Sequence, residues 1–293
     1  MQINHYPHRY KKWAINLLKW SVMALCLTFI FQKMGSEKWD FSTLGWDRHL
    51  GILLAVGMLM VLNWYLEAEK WRLSVPGENL TLLAALNAVL GGLALNWLVP
   101  FTLGDAGARL ANVRNRKHTV RAMVINRMVM LSLTGCFGAV SVWFYLYGSL
   151  NDWMVWSLAL SLFLIFLWFI LVGYLKVKAP KVQIIHRILI LSILRYLVFS
   201  FQFYLLLRMF NPSLEALVIF FGIGWVFLFR SVIPSLFGNF GVREASAVVF
   251  FEPYVTHLES IIAACLCIWL INTVIPSVVG ALSIFKLRVN IAR

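Results

Sequence analysis

Apolar residues fill this chain in long windows, and charged residues collect between them. Windows of about 20 residues with almost no charge predict helices long enough to cross roughly 30 Å of hydrocarbon. They lack the period-two alternation of a membrane barrel strand. Full spans are predicted at residues 13–32, 49–67, 122–147, 153–175, 188–207 and 261–284. Two longer apolar stretches, 80–113 and 214–251, are each broken near the middle.

The breaks are two copies of one pattern. VPFTLGDAGARLA (residues 99–111) and IPSLFGNFGVREA (residues 233–245) share Pro-x-x-x-Gly-x-x-Gly-x-Arg-x-Ala at an offset of 134 residues. Proline removes an amide donor, and glycine permits turns and close backbone approach. Pro100, Gly104, Gly107, Pro234, Gly238 and Gly241 are therefore the candidate breaks and hinges. Freed backbone groups cost several kcal/mol each in lipid, so such breaks belong where protein or a polar cavity shields them. A short helix is expected to restart near Asp105 and near Asn239, its amides offering partial positive charge to an anion. Thr102-x-x-Asp105 also fits a capping box, which gives Asp105 a structural alternative.

Charge placement sets a topology. If residues 80–113 crossed once, the run Arg114, Arg116, Lys117 and Arg121 would face outside, against the positive-inside tendency. A hairpin that returns to its side of origin removes the conflict, and a second hairpin then enters from the opposite face. Loops assigned inside, Lys70 and Arg72 among them, hold sixteen lysines and arginines, against four outside. The 134-residue offset also carries spans one, two and three onto four, five and six. The fold class expected is an all-α polytopic membrane protein, an inverted-topology repeat with six full spans and two broken re-entrant hairpins. Its parts are a cytoplasmic segment 1–12, repeats 13–148 and 149–285, and a tail 286–293. The basic N-terminus precedes a segment too long for a cleaved signal and without a small-residue cleavage site, so it is read as a retained first span.

Composition agrees. The chain is 61% hydrophobic and 13% charged, more apolar than a soluble core of this length accommodates. The net charge of +14 is mostly the loop bias above, so nucleic-acid binding is not expected. Cys26, Cys136, Cys265 and Cys267 lie in apolar windows and read as small buried hydrophobes. No histidine spacing suits a metal, and no nucleotide or nucleophile-elbow motif occurs, so no metal, no cofactor and no catalytic residues are assigned. The tryptophans read mainly as interface anchors.

Six cations fall within membrane segments, Lys19, Arg109, Arg127, Arg195, Arg230 and Arg243, against three acids, Glu67, Asp105 and Glu244. A charge at mid-bilayer is unfavourable by roughly 2.5–3.5 kcal/mol even on mild scales, so such residues have a partner or a function. Lys19 and Arg230 sit near span ends and are expected to snorkel. Asp105 and Arg109 share a helical face, whereas Arg243 meets neutral Asn239 at the equivalent spacing. Glu244, adjacent in sequence, is expected to point elsewhere. Arg243 is thus the expected unsatisfied cation. The candidate substrate-binding set is Arg243, Arg195, Arg109, Arg127, Glu244, Asp105, Asn239 and Glu67.

The segments PSLFGNFGVREASAVVFF and LVPFTLGDAGARLANV resemble the lysylphosphatidylglycerol synthase transmembrane region family, flippase-like proteins that include the membrane half of the multiple peptide resistance factor. The likeness covers roughly residues 13–285. Pro234, Gly238, Gly241, Arg243 and Glu244 match the stronger signature, and Pro100, Gly104, Asp105 and Arg109 match the first, with aspartate where the family often has glutamate. No aminoacyl-transferase domain follows, so lysyl-lipid synthesis is not expected. The resemblance carries over only the translocation half of the family's activity. With the inverted repeat, the opposed hairpins and the cationic interior, the expectation is a flippase or transporter for a lipid with an anionic, phosphate-bearing headgroup in a bacterial inner membrane. The charge bias puts both termini in the cytoplasm. Two other readings stay open: a membrane enzyme using Glu244 or Asp105 as base on a lipid-linked substrate, and a scaffold for a partner membrane enzyme. A homo-oligomer is compatible with each.

Overall fold

The computed structural model describes residues 7–34, 49–98, 103–111, 113–148, 163, 182–235 and 239–291. Among them there is no strand. The helices are α1 (Pro7–Met34), α2 (Leu50–Ser74), α3 (Leu82–Leu98), α4 (Leu103–Ala111), α5 (Arg116–Tyr147), α6 (Val182–Phe210), α7 (Ala216–Val232), α8 (Val242–Phe251), α9 (Leu258–Trp269) and α10 (Ile275–Ile291). Among the described residues, four helical runs are long and apolar enough to cross a membrane: Leu50–Ser74, Arg116–Tyr147, Ile184–Phe210 and Leu258–Ile284. The predicted first span is helical in α1 but is not one of these four. The predicted span at 153–175 lies outside the described residues, apart from the single residue Phe163.

Local chemistry fixes the helix ends. Asn115 caps α5 by accepting the His118 amide at 3.1 Å, and Gly148 closes it in the left-handed region at φ 67°. Ahead of Pro234, Ile233 turns extended (φ −81°, ψ 122°), as a residue before proline prefers, and α7 stops at Val232. The last long run is not a regular helix, because residues Leu270–Val274 form a π turn between α9 and α10.

Helix α2 is apolar on its outer face and carries a polar stripe inward. On α2, Leu54, Met58, Val61, Leu62 and Tyr65 are exposed, while Asn63, Glu67, Lys70 and Ser74 are buried. The polar set recurs at i, i+4, i+7 and i+11, one stripe about 16 Å long at 1.5 Å per residue. The largest apolar core lies among α6, α7, α8 and α9, around Phe203, Leu207, Ile219, Phe250, Phe251 and Ile268. A second, around Trp64, Trp71, Ala85 and Val89, joins α2 to α3.

The second predicted interruption is present, with α7 ending at Val232 and α8 beginning at Val242; at the first, α3 is described to Leu98 and α4 from Leu103, and residues 99–102 lie outside the described residues. Asp105 lies in the first described turn of α4, and α8 begins three residues after Asn239. Helices α3 and α7 have 17 residues each and begin 134 residues apart. α3 packs against α4 and α10, and α7 against α8 and α5.

Hydrogen bonds tie the approach to each pair to the segment that follows it. Ahead of α3, Glu78 accepts the amides of Arg114 and Asn115, both at 2.7 Å, just beyond α4. Ahead of α7, Asn211 accepts the Ser260 hydroxyl at 2.7 Å, shortly beyond α8. The two amide bonds to Glu78 favour its charged form and hold its pKa below the usual carboxylate range. A depressed folded-state pKa means that the clasp stabilises fully above the unfolded carboxylate value, about 4.3, and is lost as pH falls through the lower folded value. Amide-exchange protection factors at Arg114 and Asn115 are therefore expected to hold at neutral pH and drop below about pH 4. Glu78→Gln should abolish that pH dependence, and protection indifferent to both changes would exclude the clasp.

Candidate functional site

Glu67 is the hub of the first site. It is 6% exposed and takes three cations: Lys70 Nζ at 2.7 Å, Arg109 Nη2 at 2.9 Å and Arg195 Nη1 at 2.9 Å. These come from three helices, α2, α4 and α6. Arg109 also donates from Nε to Asp105 Oδ1 at 2.8 Å, the expected i, i+4 pair. Two indoles floor the cluster, with Trp71 4.9 Å from the Arg109 guanidinium and Trp64 5.4 Å from that of Arg195. Both tryptophans are buried, so they line this site and are not interface anchors. Three cations against two carboxylates leave one net positive charge, with Glu67, Lys70 and Arg109 buried and Arg195 and Asp105 half-buried.

The interruption places Arg109 here. Gly104, in the first turn of α4, lies so close to α3 that a Cβ would sit 2.4 Å from the Leu95 carbonyl carbon. Only glycine allows that approach. Asn96 of α3 accepts the Asp105 amide at 3.0 Å, which satisfies an early donor of α4. Gly107, a candidate hinge, sits instead inside the continuous helix α4 with open space around it. Pro100 lies outside the described residues.

The second interruption holds a separate pair. Glu244 accepts the Gly241 amide at 2.7 Å through one oxygen, and Arg243 Nε at 3.1 Å through the other, with Arg243 Nη2 on the same atom. Both side chains are buried. The expectation that Glu244 points away and leaves Arg243 unsatisfied is corrected: the carboxylate folds back over the helix start and meets the guanidinium there. Gly241 has φ 87° and Asn239 φ 69°, so the chain enters α8 through two left-handed residues, one of them a glycine that takes that conformation without strain. Asn239 accepts the Ser235 hydroxyl. Pro234 is exposed just after α7, and Gly238 lies outside the described residues.

Two residues depart further from expectation. Lys70, assigned to a loop, is 1% exposed within α2 and belongs to the Glu67 cluster. The signal was in the sequence, as the polar spacing 63, 67, 70 and 74. Arg127 is exposed on α5, whose packed face carries Ala122, Asn126, Val129 and Leu133, so it is not brought to the cluster. Lys19 is buried on α1. Arg230, half-buried in the last turn of α7, lies over the rings of Phe199 and Phe227 at 5.0 and 5.1 Å.

The polar stripe continues past the ion cluster. Asn63 donates to Asn272 at 3.1 Å, where the π turn carries Asn272 inward, and Asn126 donates to Ser74 at 2.8 Å. One amide atom on each of these asparagines is buried without a hydrogen bond among the described residues. The four cysteines are free, and no group of three metal-ligating side chains gathers among the described residues. A family model described as the lysylphosphatidylglycerol synthase TM region matches residues 16–280, nearly the whole chain. No curated protein matches it.

Proposed function

We propose that this chain, which belongs to the lysylphosphatidylglycerol synthase transmembrane-region family, moves a lipid with an anionic, phosphate-bearing headgroup between the leaflets of a bacterial cytoplasmic membrane. It is a multi-pass membrane protein. The carrying observation is the net-cationic cluster of buried Glu67, Lys70 and Arg109 with half-buried Arg195, beside the close approach of α4 to α3. Charges held that deep in an apolar molecule suit an anionic group passing through it. The acyl chains would stay in lipid while the headgroup exchanges with the carboxylates for the guanidinium groups.

The transport reading goes together with an inverted repeat. The 134-residue offset between the starts of α3 and α7, their equivalent packing partners and the hydrogen bonds at Glu78 and Asn211 are compatible with opposed re-entrant hairpins. Alternating access then consists of the hairpins exchanging which face is open. The enzyme reading has less support, because Glu67, Asp105 and Glu244 are each engaged by a cation and none stands ready as a base.

Reconstitution tests the proposal. Vesicles carrying the purified chain should expose a fluorescent phosphatidylglycerol analogue to an impermeant quencher faster than protein-free vesicles, and faster than they expose a zwitterionic analogue. Arg195→Gln leaves Glu67 with two cations, so the fold should persist while the rate falls about tenfold, the worth of one charge-assisted hydrogen bond. Exposure no faster than in protein-free vesicles rejects the reading; a new covalent lipid product favours an enzyme.

A further inference from the structure

We propose that a cavity at the end of α2 is the port through which a phosphate-bearing headgroup reaches the Glu67 cluster. The cavity holds about 500 Å³ and is lined, among the described residues, by the turn 75–78, by Asn115, His118 and Thr119 at the start of α5, and by Ile184 of α6. A volume of several hundred Å³ is the size of a small-molecule site. The charge bias assigns this end of the molecule to the cytoplasm. A lipid as the occupant rests on the lipid-carrying reading.

The lining is mixed, with apolar Val75, Pro76 and Ile184 facing polar Asn115, His118 and Thr119. Asn115 spends its side-chain oxygen on the His118 amide, which leaves its NH2 group to donate. Thr119 turns its hydroxyl back to the Asn115 carbonyl at 2.9 Å. Glu78 is the carboxylate of the described lining, and it is already committed to the amides of Arg114 and Asn115 and to the charges of Arg114 and His118. Glu69, near the end of α2, is paired with Arg72 at 2.7 Å. Against these stand exposed Arg114, Arg116, Lys117 and Arg121 along the approach to α5 and its first turns, and exposed Arg187, three residues after Ile184. Among the described residues the rim is therefore cationic, which draws a phosphate and turns away an ammonium group.

The cavity leads inward along the polar stripe of α2. Val75 follows Ser74, which is buried, accepts the Asn126 side-chain amide at 2.8 Å and donates to the Lys70 carbonyl at 2.7 Å. Lys70 in turn holds Glu67. On α5, Thr119 and Asn126 lie on the packed face two turns apart, about 10 Å by the helical rise. Asn126 Oδ1 is buried there with no hydrogen bond among the described residues, an acceptor that the hydroxyls or waters of a passing headgroup would satisfy. The Asn126–Ser74 pair is the constriction between port and cluster.

Gly77 makes the port testable, because a Cβ there would meet nothing within 4 Å and its backbone is not left-handed. Gly77→Cys in the full chain, with the native cysteines replaced, is labelled with a maleimide in detergent. Dioctanoyl phosphatidylglycerol should slow labelling roughly tenfold once it stands at ten times its dissociation constant, where about one site in eleven is open. Dioctanoylglycerol, which has no phosphate, should leave the rate unchanged, and neither lipid should slow labelling of Ser213→Cys. Protection by inorganic phosphate as well identifies the phosphate group as sufficient; protection by the phospholipid alone identifies the whole headgroup as the ligand. Gly77→Trp fills the cavity and should bring exposure of the fluorescent phosphatidylglycerol analogue down to the protein-free rate, whereas Gly77→Ala should match the parent. No protection at Gly77→Cys, or equal protection by dioctanoylglycerol or at Ser213→Cys, overturns the port. Protection without translocation by the parent keeps the port and removes the lipid-carrying reading; parent-rate translocation by Gly77→Trp does the opposite.

Discussion

Glu67→Gln is expected to destabilise the folded chain by about 3–5 kcal/mol, the range for removing one partner of a buried ion pair. The variant leaves Lys70, Arg109 and Arg195 facing one another with only Asp105 as a counter-charge. The neutral amide can still accept hydrogen bonds, so the loss reads mainly the charge. Glu67→Asp keeps the charge on a shorter arm and should retain part of the stability. Denaturant unfolding in detergent, with the three proteins side by side, measures the difference. A Gln variant within 1 kcal/mol of the parent would mean that the cluster is screened by water and is no buried hub.

Glu244 should rank second. Glu244→Ala removes both the partner of Arg243 and the acceptor for the Gly241 amide, so about 3–5 kcal/mol is expected, with a further 1–3 for the orphaned donor. Glu244→Gln keeps an oxygen for Gly241 and should lose less than the alanine variant. Combining Glu244→Gln with Arg243→Gln removes both charges together, so the double variant should be less destabilised than the sum of the singles. Strict additivity would show that the two side chains do not meet.

The fold was largely legible where the sequence names a backbone constraint. Pro234 and the glycine pattern predicted an interruption, and α7 does stop at Val232. The sites were less legible, because side-chain partners depend on where the chain returns. Adjacent helical residues point about 100° apart at 3.6 residues per turn, which made Glu244 look unavailable to Arg243. The carboxylate instead bends back to cap Gly241, and that local bond brings it over the helix end. Lys70 was misplaced by reading a basic residue near a span end as a loop charge. The i, i+4, i+7 spacing from Asn63 carried the opposite message, that one face of α2 is polar and inward. Arg230 needed tertiary structure, since only the packing of α6 on α7 sets Phe199 beneath it.

The opposed orientation of the two hairpins is open to one direct measurement. With Cys26, Cys136, Cys265 and Cys267 replaced, a single cysteine is placed at Gly77, ahead of α3, or at Ser213, ahead of α7; both positions are exposed. Labelling with an impermeant maleimide is then compared in intact cells and in inverted vesicles. Ser213→Cys should react in intact cells and Gly77→Cys only in inverted vesicles. Reaction of both from the same side would contradict an inverted pair of hairpins around a shared polar centre.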